Sequence, residues 1–346
     1  MTSVGGFGAV TPLSESVLWQ LNREWYDQEG TRAWSTGVMP SMITTNAVVG
    51  YSYAQAVVAF LREWAEGACA DERRQPIHII ELGAGSGRFV FHFLKKLEPR
   101  FRAVKALRDV EVRYVMTDFA RSTIDAWRRH ERLAPLVAEG RLDFAAFDAA
   151  WPAPMRLVHA GTVLDPATPA PGPIVIIANY VIDSLPLDAF IREGRDFEEF
   201  LVKVTVRDRD APLTSLDDVE LDWTRSRVDR GRYREPEHDR LLHSLAARLG
   251  DRTLLFPVTF LHTLGFLRRL NAGPTMLLSA DKGYNRTPIE AQRVPYMATH
   301  GTGSFNVDYS VIAAYVRQQN GVAFLPAYQS VSLATAGFVL DGAAHD

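Results

Sequence analysis

The stretch Glu81-Leu82-Gly83-Ala84-Gly85-Ser86-Gly87-Arg88 decides the fold. Ahead of the glycines runs Ile77–Leu82, IHIIEL, an apolar segment of strand length that reads as buried. Behind them, residues 89–97 carry helical spacing, and the helix is expected to stop before Pro99. Glycines at 83, 85 and 87 permit a tight turn and let a ligand approach the backbone. A dinucleotide fingerprint requires G-x-G-x-x-G. Here the third glycine comes one residue early and Arg88 stands where that fingerprint needs glycine, which disfavours a nicotinamide-dependent oxidoreductase.

Working outward, β-rich runs alternate with amphipathic stretches. VRYVMTD at Val112–Asp118, RLDFAAFD at 141–148 and PIVIIAN at 173–179 read as the second, third and fourth strands, with a helix near 122–130 and a Pro-rich loop over 152–173. Such alternation implies crossovers and a mostly parallel sheet covered on both faces. Upstream, helices are expected near 14–26, with Ser14 or Ser16 as N-cap, and over 51–68. Trp19, Trp25, Trp34 and Trp64 read as seals of these helices on the sheet. After Pro186 the pattern changes. Residues 198–207 alternate like an antiparallel strand, 211–238 read as a charged, loop-rich region, and 241–249 and 260–270 look helical. TMLLSAD at Thr275–Asp281 resumes the buried-strand pattern, 311–317 suit a helix, and the end of the chain reads as a β-hairpin. The expected divisions are 1–75, 76–186, 187–273 and 274–346.

The chain has 346 residues, 47% of them hydrophobic, with 38 Lys and Arg against 41 Asp and Glu. That apolar share suits a sizeable core and excludes a disordered or collagen-like chain. A single cysteine, Cys69, excludes an internal disulfide and a cysteine-based zinc site. The histidines at 238, 243 and 262 lack metal-ligand spacing, so no metal site is assigned. The near balance of charge argues against nucleic-acid binding by charge alone. The basic run at 225–234 reads as a solvated face. No apolar run approaches about 20 residues, and the first residues lack a basic start followed by an apolar run, so a cytoplasmic protein that spans no membrane is expected.

The spacing E-x-G-x-G-x-G over Glu81–Gly87 resembles motif I of the class I S-adenosyl-L-methionine methyltransferases. That ligand carries no phosphate; its amino-acid end needs a carboxylate near the ammonium and backbone donors near its carboxylate. Glu81 is placed for the first, with Gly83, Ala84, Gly85 and Gly87 supplying the turn. In doubly wound sheets ligands lie beyond the carboxyl ends of the strands. Asp118 ends the second strand and is placed to accept from the ribose hydroxyls, and Asp148 ends the third, placed to accept from an adenine amino group. Phe119 and Phe147 neighbour them and either flank the purine or pack in the core. Each Asp alone also fits a helix N-cap or turn; three acidic strand ends in register fit a ligand better.

The fourth strand runs into Ala178-Asn179-Tyr180-Val181-Ile182-Asp183-Ser184-Leu185-Pro186. On a helical turn Asn179 and Asp183 would share a face. This block resembles the MidA-like family of methyltransferases, whose strand leads into Ala-Asn-Glu-x-x-Asp-Ala-Leu-Pro; Tyr180 stands where the family has Glu. Ile43-Thr44-Thr45, Ala280-Asp281-Lys282-Gly283-Tyr284 and His300-Gly301-Thr302-Gly303-Ser304-Phe305 resemble further segments of that family. The resemblance implies a doubly wound α/β fold: a seven-stranded, mostly parallel Rossmann-like sheet, a helical N-terminal extension over the cofactor site and an inserted substrate region. It implies S-adenosyl-L-methionine as cofactor, S-adenosyl-L-homocysteine as product, and Thr44, Thr45 and Asn179 among the cofactor contacts. It also implies protein arginine methylation and a homodimer formed through the inserted region. Asp183 is the expected principal polar group at the acceptor, with Asn179, Tyr180 and His300 around it as the catalytic set. Loss of the Glu weakens an arginine acceptor and leaves open a small molecule or natural-product peptide, or a SAM-binding assembly factor without catalysis.

Overall fold

The computed structural model describes residues 6–30, 32–35, 43–207, 215–250, 252–285, 293–299, 301–327 and 333–341. The chain opens with β1 (Val10–Pro12) and α1 (Val17–Glu29), the latter capped by Ser16, whose side chain accepts from the Leu18 amide. The next long helix, α2 (Ala47–Gly67), starts four residues earlier than the sequence reading, because the Asn46 side chain accepts from the amides of Val48 and Val49.

The central layer then builds up as β2 (Ile77–Leu82), α3 (Arg88–Ala103), β3 (Val112–Asp118), α4 (Arg121–Arg128), β4 (Leu142–Ala146) and β5 (Ile174–Asn179). An inserted region follows: β6 (Asp188–Glu193), β7 (Asp196–Val206), β8 (Val219–Arg227), α5 (Pro236–Ala246), β9 (Thr253–Phe256) and α6 (Val258–Arg268). The chain returns with β10 (Thr275–Asp281), α7 (Tyr309–Gln318), β11 (Val322–Phe324) and β12 (Ala334–Leu340).

Seven strands form the main sheet in the order β11-β12-β10-β5-β2-β3-β4. β10, β5, β2, β3 and β4 run parallel, and the terminal hairpin β11–β12 adds antiparallel to β10. Every residue of β2 is buried, and alternate residues feed two separate cores. Ile80, Leu82, Ile176 and Leu277 pack on one face. Ile77, Ile79, Val175, Ile177 and Met276 pack on the other. From β2 the chain winds outward through β3 and β4, while β5 lies on the opposite side of β2. The crevice at that reversal lies past the carboxyl ends of β2 and β5, where doubly wound folds place ligands.

Three local expectations are corrected. α3 runs through Pro99 to Ala103, because the apolar stripe Phe93, Leu97 and Phe101 stays buried beyond the proline, and that packing outweighs one missing backbone donor. The charged region 211–238 contains β8, which pairs antiparallel with β7 over nine residues. Val219 is buried and Leu221 and Trp223 are half-buried while their neighbours face outward, a period-two pattern in which an edge strand tolerates charge. The turn after β5 is a 3₁₀ turn at Ile182–Ser184, not an α-helix.

The N-terminal segment belongs to the inserted sheet. β1 pairs with β7 (Val10 opposite Lys203), and Leu13, Leu18, Trp19 and Leu21 pack with Ile191, Phe200, Val202 and Leu255. Trp19 therefore seals α1 to the insertion, not to the main sheet. The Trp34 side chain lies outside what the structure describes.

Candidate active site

The loop after β2 turns on three glycines in the left-handed region: Gly83 at φ 55°, Gly85 at 52° and Gly87 at 67°. A Cβ on Gly83 would lie 2.8 Å from Cγ2 of Val181, so the loop presses against the turn that follows β5. Its backbone is pinned from behind: the Ala84 amide donates to the Thr117 carbonyl (2.9 Å), and Trp127 Nε1 donates to the Gly85 carbonyl (2.8 Å).

A pocket opens over this loop. Its lining includes Thr44, Thr45, Glu81, Gly83, Ala84, Asp118, Phe119, Phe147, Asp148, Asn179 and Tyr180, all singled out from the sequence. Gly85 and Gly87 lie behind the lining, and so does Asp183. His300 falls outside the described residues.

The carboxylates differ in environment. Burial pushes the Glu81 carboxyl up to about 8, although Tyr114 Oη donates to its Oε2 at 2.8 Å. Burial raises Asp118 to about 6, against amide donors from Ala120, Gly85 and Phe119. Asp148 accepts from the Ala150 amide (2.9 Å) and forms a close ion pair with Arg23 of α1.

Asn179 sits at the end of β5. Its Oδ1 accepts from Tyr53 Oη (2.9 Å) and the Ala280 amide (3.1 Å), which fixes the side-chain amide. Its Nδ2 is buried and has no hydrogen-bond partner, so the residue that lines the pocket offers a donor unmet by the protein. Tyr180 follows at φ 52°, a left-handed conformation rare for a bulky residue. This bend separates Asn179 from Asp183, so the two do not share a helical face.

Asp183 is buried outside the pocket lining. Ser184 Oγ donates to its Oδ1 (2.9 Å), and Ser304 also bonds to it. Asp281 at the end of β10 accepts through Oδ2 from the amides of Val181 (3.1 Å), Ile182 (2.9 Å) and Asp183 (3.3 Å), which holds the turn in shape. Burial raises both carboxyls, Asp281 the more, with the Asp183 charge adding to it.

Sequence reasoning missed a whole wall. Trp19, Asn22, Arg23 and Tyr26 of α1 line the pocket, and so do Trp151, Ser184 and Leu185. The four α1 residues recur at steps of three and four, one stripe of the helix. Asn22 was the available signal: a polar residue buried on an otherwise apolar surface, exchanging two 2.9 Å bonds with Gly303.

This set fits S-adenosyl-L-methionine. Glu81 suits an ammonium, Asp118 a ribose diol, and the unmet Asn179 donor a carboxylate or hydroxyl. The glycine turn leaves no room for a Cβ at its first position. Among the described residues, no group of three or more His, Cys, Asp or Glu side chains is arranged to hold a metal, and no helix is long and apolar enough to cross a membrane.

Solved structures share the fold. A crystal structure of an uncharacterized ACR superfamily protein from Burkholderia thailandensis superposes with a TM-score of 0.50 at 16% identity, over 96% of this chain and 88% of that one. A Burkholderia thailandensis chain bound to S-adenosyl-homocysteine is similar at a TM-score of 0.43 and 18% identity, over 79% of this chain and 62% of that one. No curated protein matches the chain in sequence. Residues 56–288 match the model of the family described as "Putative S-adenosyl-L-methionine-dependent methyltransferase". That span is more than half of the chain and runs from α2 to just past β10, so the chain belongs to this family of S-adenosyl-L-methionine-dependent methyltransferases.

Proposed function

We propose that this chain is a methyltransferase of MidA-like type that methylates a hydroxyl-bearing acceptor, a small molecule or a peptide side chain. The observation that carries the reading is the division of polar groups in the pocket. The three carboxylates that line it, Glu81 and Asp118 in the last residues of β2 and β3 and Asp148 just past β4, gather at the nucleoside end. The acceptor end is walled by Trp19, Tyr26, Tyr180, Ser184 and Leu185, with Asp183 screened behind Ser184. A guanidinium remains protonated at neutral pH and favours an open carboxylate beside it; the wall offers phenols. Burial holds Tyr26 and Tyr180 near 12, so both stay neutral donors.

When bound, S-adenosyl-L-methionine supplies a methyl group already activated on a sulfonium. The protein's part is alignment, exclusion of water and removal of the acceptor proton. Tyr26 bonds to Thr302 and Ser184, and Ser184 donates to Asp183. A proton leaving the acceptor at Ser184 is thus one hydroxyl away from a buried carboxylate, and one leaving at Tyr26 is two. Asn179 orients the cofactor's polar end through Nδ2, and Tyr180, set by its backbone bend, faces the acceptor. His300 is assigned as a proton carrier on the strength of the family resemblance alone.

One observation favours a second reading: Trp19, Tyr26 and Tyr180 also suit a guanidinium through their ring faces, which keeps protein arginine in view. Transfer from methyl-labelled cofactor into a cell extract, followed by mass spectrometry of the labelled species, decides. Labelled methyl ethers are expected; label confined to methylarginine overturns the hydroxyl reading. A homodimer through the inserted sheet, in the cytoplasm, completes the proposal, and sedimentation of the purified chain measures the first part.

A further inference from the structure

We propose that Arg23 ties the nucleoside end of the pocket to the acceptor wall: its guanidinium forms one side of the base slot, and it rides on the same helical stripe as Tyr26. The proposal rests on the pocket being a methyltransferase site. The guanidinium lies 4.5 Å from the centroid of the Phe119 ring and 5.3 Å from that of Trp151, and it is ion-paired to Asp148. All four residues line the pocket. Asp148 and Phe119 follow β4 and β3, so through Arg23 α1 touches both loops of the nucleoside end.

A planar cation set beside two aromatic rings and held by a carboxylate is a preorganised surface for stacking. Asp148 retains acceptor capacity for an amino group, since a carboxylate offers about four lone-pair sites. Three residues further along α1, Tyr26 bonds to Thr302 and Ser184 at the acceptor wall. Next to Arg23 in the chain, Asn22 fastens the helix to Gly303 through two bonds of 2.9 Å. A base that orders Arg23 therefore orders the helix that carries Tyr26. Arg23 acts here as a positioning residue.

The test uses S-adenosyl-L-homocysteine as probe, with calorimetry for affinity and amide hydrogen exchange for α1. With wild-type protein the probe is expected to bind and to slow exchange across residues 19–26. Arg23→Ala is expected to bind it about tenfold more weakly and to lose that protection. Arg23→Lys, which keeps the charge but not the plane, is expected to fall between and serves if the alanine variant melts early. Unchanged affinity and retained protection in both variants overturn the coupling while leaving the cofactor assignment standing. Wild-type protein that fails to bind the probe overturns the cofactor assignment itself.

Discussion

The two ends of the pocket are built in opposite ways. The proposed nucleoside end is made of residues at or just past the ends of consecutive parallel strands: Glu81 to Gly87 at the end of β2, Asp118 and Phe119 at the end of β3, Phe147 and Asp148 after β4. The proposed acceptor end is gathered from far apart in the chain. Tyr26 comes from α1, Tyr180 and Ser184 from the bend after β5, and Thr302 and Ser304 from the late loop. The first end is fixed by a sheet buried on both faces. The second depends on how α1 and the inserted sheet pack against it. The difference predicts that cofactor affinity and turnover can be damaged separately.

The largest effect is expected from Asp183→Asn. It removes the carboxylate to which Ser184 donates while keeping its shape, so turnover should fall about 10²–10⁴-fold. Affinity for S-adenosyl-L-homocysteine should stay within about twofold. Equal losses in both would mean that the ends are not separable. Gly83→Ala acts at the other end. Its Cβ meets Val181 at 2.8 Å in a backbone at φ 55°. Stability should fall on the order of 1–3 kcal/mol and cofactor affinity about tenfold or more, read by melting and calorimetry.

Glu81 gives a prediction whose sign depends on pH. Its carboxyl is raised by burial from the ordinary 4.5 to about 8. The native state therefore holds a proton that the unfolded chain gives up at lower pH, and the stability this contributes is lost as pH climbs through that window. Glu81→Gln should melt higher than wild type at pH 8, by on the order of 1 kcal/mol, and not at pH 4. The same variant should bind S-adenosyl-L-homocysteine several-fold more weakly at pH 8. In wild type a ligand ammonium beside Glu81 expels its proton, so affinity should rise from pH 6 to pH 8. Calorimetry in buffers of differing ionisation enthalpy counts that proton; no release would remove Glu81 from the ammonium. The smallest effect is expected from Tyr180→Phe. It deletes a neutral phenol and keeps the ring, so turnover should drop a few-fold with cofactor affinity unchanged.

How far the sequence can be read follows the same division. The strand–glycine–helix unit, the strand-end acids and the Asn179 block were legible because period-two burial and turn chemistry are local signals. So was the parallel sheet, since continuous apolar runs such as IHIIEL and IVIIAN bury on both faces. β8 was not legible, because its outward face carries Glu220 and Asp222, and its pairing with β7 is a tertiary choice. The screened place of Asp183 was not legible either. It depends on the left-handed bend at Tyr180 and on Asp281, almost a hundred residues further on, holding the turn through three amides. The wall formed by α1 was hidden by the helix's own apolar face, and only buried Asn22 marked it.

The most direct measurement is a crystal structure of the chain grown with S-adenosyl-L-homocysteine. The ligand is expected with its ribose hydroxyls on Asp118, its amino group at Glu81 and its base in the slot formed by Phe147, Asp148 and Arg23. A site without ligand at saturating concentration, or a dinucleotide binding there with its pyrophosphate on the glycine turn, would contradict the assignment.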